Sequence, residues 1–193
     1  MKIENYYVYG LHTSVKASKY PMSVDVSECS DEITSTVKNL GNAKTGSGHD
    51  QFLTGIIVQF DLTFSNKAWV EAERYHFLDF VSSQSTMHRI TKLNPYKQCN
   101  EYVDVRVIEV LEGKISDYNA DPTPENYLRV LYNIPAGYEL TARMTTNYRQ
   151  LKTIYHQRKN HRLPEWREFC KWIESLPYFY ELCLSGGKDD DKT

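Results

Sequence analysis

The chain has 193 residues, enough for one domain with a substantial core, and its 40% hydrophobic and 25% charged residues are typical of a globular protein. The formal net charge of −2 argues against a nucleic-acid-binding protein, so any anion site must be local. Cys29, Cys99, Cys170 and Cys183 form no C-x-x-C pair, so their spacing supports neither a zinc site nor a small disulfide framework, and we expect free thiols in a reducing compartment. With no signal peptide in MKIENYYVYG and no run long enough to span a membrane, we expect a cytoplasmic protein.

The first half of the chain predicts a short helix, a loop, a strand and a longer helix. The short helix falls in Asp31–Leu40, and the turn-forming residues of Asn39–Asp50 predict the loop. In GIIVQFDLTF, apolar residues alternate with polar ones, which predicts a half-buried strand with Val58, Phe60, Leu62 and Phe64 inside. Ser65 is the predicted N-cap of a helix whose inner face repeats at Trp69, Ala72, His76 and Phe80. We expect this helix to carry Arg74 and to run into a serine-rich turn, SSQS.

The second half is predicted to be mainly helical. Tyr102–Gly113 fits a strand or a helix, and we favour a helix with Gly113 just after its end. Asn119–Pro124 is a predicted loop, with Pro124 in the first turn of the next helix. A short extended piece in IPAGYELTARM is followed by a helix from about Thr146.

Pro164 marks either a break or the first turn of the last helix. That helix has an apolar stripe at Trp166, Phe169, Cys170 and Ile173. Residues 185–193 read as a flexible charged tail, which leaves 1–184 as one domain.

Three places carry candidate binding residues. Asn147 and Arg158 are three turns apart and share a helix face, where they favour a structural salt bridge but also suit an anionic ligand. The SSQS segment, flanked by Arg74 and Arg89, fits either a phosphate site or a polar loop. His49 lies in a glycine-rich turn without partners at metal-ligand spacing, so we predict no metal site.

The sequence contains no nucleophile motif of the G-x-S-x-G type, no Walker loop and no G-x-G-x-x-G dinucleotide-binding motif. Hydrogen-bond donors are abundant, whereas nucleophiles are few. This imbalance favours an enzyme whose cofactor performs the chemistry, or a simple binding protein.

Two segments resemble flavin-dependent thymidylate synthases. GHDQFLTGIIVQFDLTFSNKAWVEAERYH is similar to the family's histidine-containing turn, strand and Arg-His-Arg motif. IPAGYELTARMTTNYRQLKTIYHQRKNHRLPEW is similar to its C-terminal stretch, and the spacing from Pro135 to Asn147, Arg149, Leu151 and Arg158 fits without a gap. Together the resemblance covers roughly residues 49–89 and 129–175.

The resemblance implies an α+β fold, with a twisted, mostly antiparallel sheet and long helices, assembled as a homotetramer. It also implies that the protein is a flavoprotein and methyltransferase that binds FAD, dUMP, NADPH and methylene-tetrahydrofolate. The reaction of the family is the reductive methylation of dUMP to dTMP, in nucleotide biosynthesis, and it requires no protein nucleophile.

The resemblance also assigns roles to individual residues. Arg74 and Arg158 would be the catalytic residues, and Arg158 would contact the dUMP base or ribose. The residues expected to contact the cofactor are His49, Arg74, His76, Asn147, Arg149 and His161. The residues expected to bind the nucleotide are Ser83, Gln84, Ser85, Arg89 and Arg158.

This sequence departs from the family pattern mainly on the dUMP side. Arg-His-Arg becomes Arg74-Tyr75-His76, and the glutamate before the active-site serine is absent. Leu131 stands where the family has a phosphate-binding arginine, with Arg129 two positions away. An alternative hypothesis is therefore a non-catalytic nucleotide-binding or interaction protein that keeps the fold.

Overall fold

The computed structural model describes residues 1–44 and 46–186. Most of the predicted charged tail, residues 187–193, lies outside the described residues. The first two tail residues are part of the fold, contrary to the prediction: the Ser185 hydroxyl donates to the Glu181 carbonyl at 2.8 Å, and the Gly186 amide donates to Asn42 Oδ1 at 2.9 Å.

The architecture is α+β, as predicted. The strands are β1 (Lys2–Tyr9), β2 (Ile57–Ser65), β3 (Asp79–Ser83) and β4 (Glu139–Asn147), which form an antiparallel sheet in the order β1-β2-β4-β3. The α-helices of the described residues are α1 (Leu11–Ala17), α2 (Ser35–Gly41), α3 (Asn66–Ala72), α4 (Thr86–Arg89), α5 (Pro95–Gln98), α6 (Val105–Ala120), α7 (Pro124–Leu131), α8 (Tyr148–Arg158), α9 (Pro164–Glu174) and α10 (Phe179–Cys183). In residues 1–44 and 46–186, no helix combines the length and the hydrophobicity needed to cross a bilayer.

Local sequence patterns predicted several of these elements. In β2, the alternating residues Val58, Phe60, Leu62 and Phe64 are fully buried, and Ser65 caps α3 by accepting a hydrogen bond from the Ala68 amide at 3.2 Å. Pro164 is the first residue of α9, which settles its role as a helix start. The predicted stripe on α9 is buried throughout.

The chain contains two compact units. The first unit comprises Met1–Glu4, Asp61–Arg74 and Phe80–Met144. The second unit comprises Asn5–Phe60, Tyr75–Asp79 and the described residues from Thr145 onward. That residues 1–184 form a single domain remains a prediction.

In the first unit, α6 and α7 pack on a buried cluster formed by Ile90, Leu111, Ile115, Val130 and Tyr138. The ambiguous segment Tyr102–Gly113 is mostly helix, but Gly113 lies inside α6 rather than after its end. The helix continues because Ile115 still contributes to the cluster, and this burial outweighs the low helix propensity of one glycine.

In the second unit, α8, α9 and α10 enclose an aromatic core. Phe60 packs against Trp172 with ring centroids 4.6 Å apart and against Phe169 at 5.8 Å. Leu151 and Ile154 of α8 are fully buried, as expected for the inner face of that helix. The start of α8 was predicted too early, because β4 extends to Asn147 and only then does the helix begin.

The segment after α3 differs from the predicted long helix. The helix ends at Ala72, and Phe77 takes a left-handed conformation with φ 64° before the chain enters β3. Phe80 still approaches Trp69, at 5.0 Å between ring centroids, but it does so from a strand. The prediction was wrong because pairing at the edge of the sheet overrode the helical spacing.

Tyr138 gives a prediction about the core of the first unit. Its side chain is fully buried, its hydroxyl has no hydrogen-bond partner among the described residues, and burial raises its pKa to about 12. We expect Tyr138→Phe to raise the free energy of unfolding by about 1 kcal/mol, because it removes an unsatisfied buried polar group. Urea denaturation at neutral pH measures this change.

The pKa of Tyr138 also predicts a pH dependence. Because the pKa is higher in the folded state, ionisation of the phenol favours the unfolded chain: it has no effect on stability below pH ~10, and stability is lost as the pH rises towards about 12. Tyr138→Phe should flatten the alkaline loss of stability. A destabilised variant with an unchanged alkaline slope would contradict both expectations.

Candidate functional site

Asn147 stands at the junction of β4 and α8. Its side-chain Oδ1 accepts a hydrogen bond from the Gln150 amide at 2.9 Å, which caps the first turn of α8. The Nδ2 group makes no hydrogen bond with the described residues. Asn147 can therefore start the helix and donate to a ligand at the same time.

A buried ionic network fixes the first two turns of α8. The Asp50 carboxylate, with no exposed surface, accepts from Arg149 Nε at 3.0 Å and from Lys152 Nζ at 3.2 Å. Lys152 also donates to the carbonyls of Gly41 at 2.8 Å and Ala43 at 2.7 Å. The sequence did not predict this network: the three-residue spacing of Arg149 and Lys152 is its one local signal, and Asp50 lies 99 residues from Arg149 along the chain.

Arg149 joins this network while keeping a donor available. Its Nη1 donates to Gln51 Oε1 at 2.9 Å, but Nη2 has no partner among the described residues. The side chain is partly exposed, at 28%. The guanidinium is thus oriented by Asp50 and Gln51 and can still bind an anion or a carbonyl oxygen.

His49 directly precedes Asp50 and is exposed. It ends a turn in which Gly46 and Gly48 have φ values of 91° and 81°, a conformation that suits glycine. The imidazole forms no hydrogen bond with described residues, and no group of three potential metal ligands occurs within residues 1–44 and 46–186. Its position is set through its neighbour Asp50.

Arg158 is held at the end of α8 by contacts within the second unit. Its Nε donates to the Tyr75 hydroxyl at 2.6 Å, and its Nη1 lies 2.7 Å from His161 Nε2. The guanidinium carbon also lies 4.8 Å from the centre of the Trp166 ring. Arg158 is only 8% exposed, so it is a buried, well-oriented cation rather than a surface side chain.

Tyr75 and Trp166 were not identified as partners of Arg158 from the sequence. Tyr75 occupies the middle position of the altered Arg-His-Arg motif, and it is 83 residues from Arg158 along the chain. The tyrosine at this position thus supplies the hydroxyl that accepts a hydrogen bond from Arg158, in the C-terminal motif.

The SSQS segment is not the predicted serine-rich turn. Ser83 ends β3, and Gln84 pairs with β4: its amide donates to the Thr141 carbonyl at 2.9 Å, and its Oε1 accepts from the Thr141 amide at 2.9 Å. Ser85 then precedes the single turn of α4, which ends at Arg89. The prediction of a turn failed because Gln84, with both its backbone amide and its side chain, continues the pairing with β4 past the last residue of β3.

Arg89 is exposed, and its side chain makes no hydrogen bond or ion pair with the described residues. Its alternative, Arg129, is engaged in an ion pair with Glu125 at 2.6 Å, and Leu131 packs against the core cluster. Within the described part of the first unit, Arg89 is thus better placed than Arg129 to bind a phosphate.

Arg74 and His76 lie between α3 and β3 rather than on the predicted helix. Both are exposed, and neither side chain bonds to described residues. The first unit contains Arg74, Ser83, Gln84, Ser85 and Arg89. The second unit contains His49, His76, Asn147, Arg149, Arg158 and His161.

Three of the four cysteines are poor nucleophiles because burial raises the pKa of their thiols. Burial raises the pKa of the Cys170 thiol to about 12 and that of Cys183 further still. Burial also raises the pKa of Cys99. These three thiols stay protonated at neutral pH.

The donors of the second unit fit a flavin nucleotide in chemical type. Asn147 Nδ2 and Arg149 Nη2 are uncommitted donors, and the His49 ring is exposed. A pyrophosphate and flavin carbonyl oxygens are acceptors that such groups bind.

Comparison with known proteins gives a match of fold. No family model and no curated protein matches the chain. The structure of flavin-dependent thymidylate synthase ThyX from Helicobacter pylori, complexed with FAD and dUMP, is similar with a TM-score of 0.74 and 18% identity, over 95% of this chain and 100% of that chain. A second structure of Helicobacter pylori ThyX with FAD and dUMP is similar with a TM-score of 0.72 and 17% identity, over 96% of this chain and 98% of that chain. The chain therefore has the fold of the flavin-dependent thymidylate synthases, which the sequence motifs predicted.

Proposed function

We propose that the protein is a divergent flavin-dependent thymidylate synthase, which methylates dUMP or a closely related pyrimidine nucleotide. The observation that carries this proposal is the fold likeness over 95% of the chain to a protein complexed with FAD and dUMP. The agreement of Arg74, Asn147, Arg149 and Arg158 with the family's motif spacing adds support.

In this proposal, FAD is held by exposed or partly exposed donors. Asn147 and Arg149 would hold it from α8, with His49, Arg74, His76 and His161 as further contacts. Bound FAD would supply a hydride to the new methyl group, with NADPH as the reductant and methylene-tetrahydrofolate as the one-carbon donor. The Asp50 network fixes the direction of the Arg149 guanidinium before any ligand arrives, which lowers the entropy lost on binding.

The nucleotide phosphate would be bound by Ser83, Ser85 and Arg89. Arg89 has no competing acidic partner in the described residues, so its charge is available for a charge-assisted hydrogen bond. Gln84 holds the segment through Thr141 and keeps its Nε2 group for the ligand. Arg158, oriented by Tyr75 and His161, would contact the base or ribose.

A homotetramer and a cytoplasmic location are part of this proposal. The family resemblance supports the homotetramer. The four cysteines are free thiols, which is typical of a reducing compartment.

The test is the visible spectrum of the purified protein. We expect a flavin absorption band, which NADPH bleaches anaerobically, and formation of dTMP when dUMP and methylene-tetrahydrofolate are added. Absence of any spectral shift or binding with saturating FAD would overturn the enzyme function.

A non-catalytic nucleotide-binding protein is the second candidate. The burial of Arg158 and its bonds to Tyr75 and His161 favour it, because they give this arginine a structural role that needs no substrate. A ligand that binds only the folded state raises the melting temperature. Stabilisation by dUMP but not by FAD would select this function.

A further inference from the structure

The segment that carries Arg89 cannot fix its own conformation. Helix α4 is one turn of four residues, and a single turn is marginal in water because nucleation is costly. Before it, Gln84 is anchored to β4 through Thr141. After it, Ile90 is fully buried in the core cluster of the first unit.

A third anchor acts on the turn itself. The hydroxyl of Tyr127, from α7, donates to the Met87 carbonyl at 2.6 Å and lies 3.3 Å from the Thr86 carbonyl. The Thr86 carbonyl already accepts from the Ile90 amide, whereas the Met87 carbonyl has no backbone donor among the described residues, so the Tyr127 hydroxyl supplies the missing partner at the end of the turn. Tyr127 belongs to the same unit as α4.

The Tyr127 ring is itself held in place. It packs against Tyr118 of α6 with ring centroids 5.0 Å apart, and Thr123 caps the start of α7 by accepting from the Asn126 amide at 3.2 Å. Burial raises the pKa of Tyr127, and the nearby Tyr118 adds to this effect. The phenol thus keeps its proton, and with it the hydrogen bond to α4, at neutral pH.

We propose that Tyr127 is a positioning residue for the phosphate site, in which its hydroxyl fixes the α4 turn so that Ser85 and Arg89 are presented together. This inference rests on the proposed function, because it takes the nucleotide phosphate as the ligand of Ser85 and Arg89. Tyr127 would act through α4 and would not touch the nucleotide.

The experiment compares Tyr127→Phe with the wild type, using dUMP and deoxyuridine as probes in titration calorimetry. Loss of the hydroxyl removes the hydrogen bond to the Met87 carbonyl that holds the turn, and we expect affinity for dUMP to fall about five- to tenfold. Affinity for deoxyuridine should stay within about twofold of the wild type, because it has no phosphate for the site to bind. This difference separates positioning of the phosphate site from a general structural role.

Tyr118→Phe is the matched control, since it removes a neighbouring hydroxyl that has no hydrogen bond in the described part of the chain. It should bind both ligands like the wild type. If Tyr127→Phe also behaves like the wild type, or loses affinity equally for both ligands, the positioning role is overturned while nucleotide binding stands. If the wild type binds dUMP no better than deoxyuridine, the phosphate site fails, and the proposed nucleotide function fails with it.

Discussion

Asp50→Asn is expected to lower the free energy of unfolding by about 3–5 kcal/mol, the usual cost of breaking a buried ionic network by removing one charge. The carboxylate has no exposed surface and contacts both Arg149 and Lys152. Lys152 is itself 4% exposed, so the substitution leaves a buried ammonium with carbonyl partners only. Urea denaturation at neutral pH measures the loss.

Two further variants test the cause of this loss. Asp104→Asn breaks an exposed ion pair with Arg106, and we expect a change of less than about 1 kcal/mol. Adding Lys152→Met to Asp50→Asn removes the stranded ammonium and should restore part of the lost stability. If Asp50→Asn changes stability no more than Asp104→Asn does, the network does not stabilise the fold.

The same network connects stability with the candidate site. Lys152 binds the carbonyl of Ala43 and the carboxylate of Asp50, so a single ammonium holds the residues on either side of 44–49. His49 and Arg149 both depend on this arrangement. We therefore expect Asp50→Asn to weaken FAD binding even under conditions where the variant is still folded.

Elements whose residues carry their own signal could be predicted from the sequence. The alternation in β2 and the stripe on α9 each reflect burial of one face of the element. The spacing of apolar residues along the sequence is enough to predict such a face. The N-cap at Ser65 and the helix start at Pro164 are also local signals. By contrast, β3 depends on pairing with β4, which follows about 60 residues later. The residues next to Phe80 in the sequence give no information about this pairing.

The candidate site divides in the same way. Motif spacing identified Asn147, Arg149 and Arg158 as a set of donors. It could not identify their partners, because Asp50 lies 99 residues from Arg149 and Tyr75 lies 83 residues from Arg158. The partners determine which donor atoms remain available: Arg149 keeps Nη2, whereas Arg158 is buried.

Arg158→Lys is expected to lower the free energy of unfolding by about 2–3 kcal/mol and the affinity for dUMP by at least about tenfold. Lysine keeps the charge, but it cannot bond to Tyr75 and His161 together while stacking on Trp166. Chemical denaturation and titration calorimetry with dUMP give the two values. Arg106→Lys is the matched control, because Arg106 is exposed; both values should match those of the wild type.

Tyr75→Phe separates the two roles that Arg158 can have. It keeps the aromatic ring but removes the hydroxyl that accepts from Nε, so we expect a loss of about 1 kcal/mol of stability. In a double-mutant cycle, Tyr75→Phe and Arg158→Lys should be coupled by about 1 kcal/mol, because Tyr75→Phe then has little left to remove. If Arg158 contacts the nucleotide, only its own substitution greatly reduces dUMP affinity. If Arg158→Lys loses stability but binds dUMP like the wild type, the arginine is a structural residue, and the nucleotide must be recognised without it.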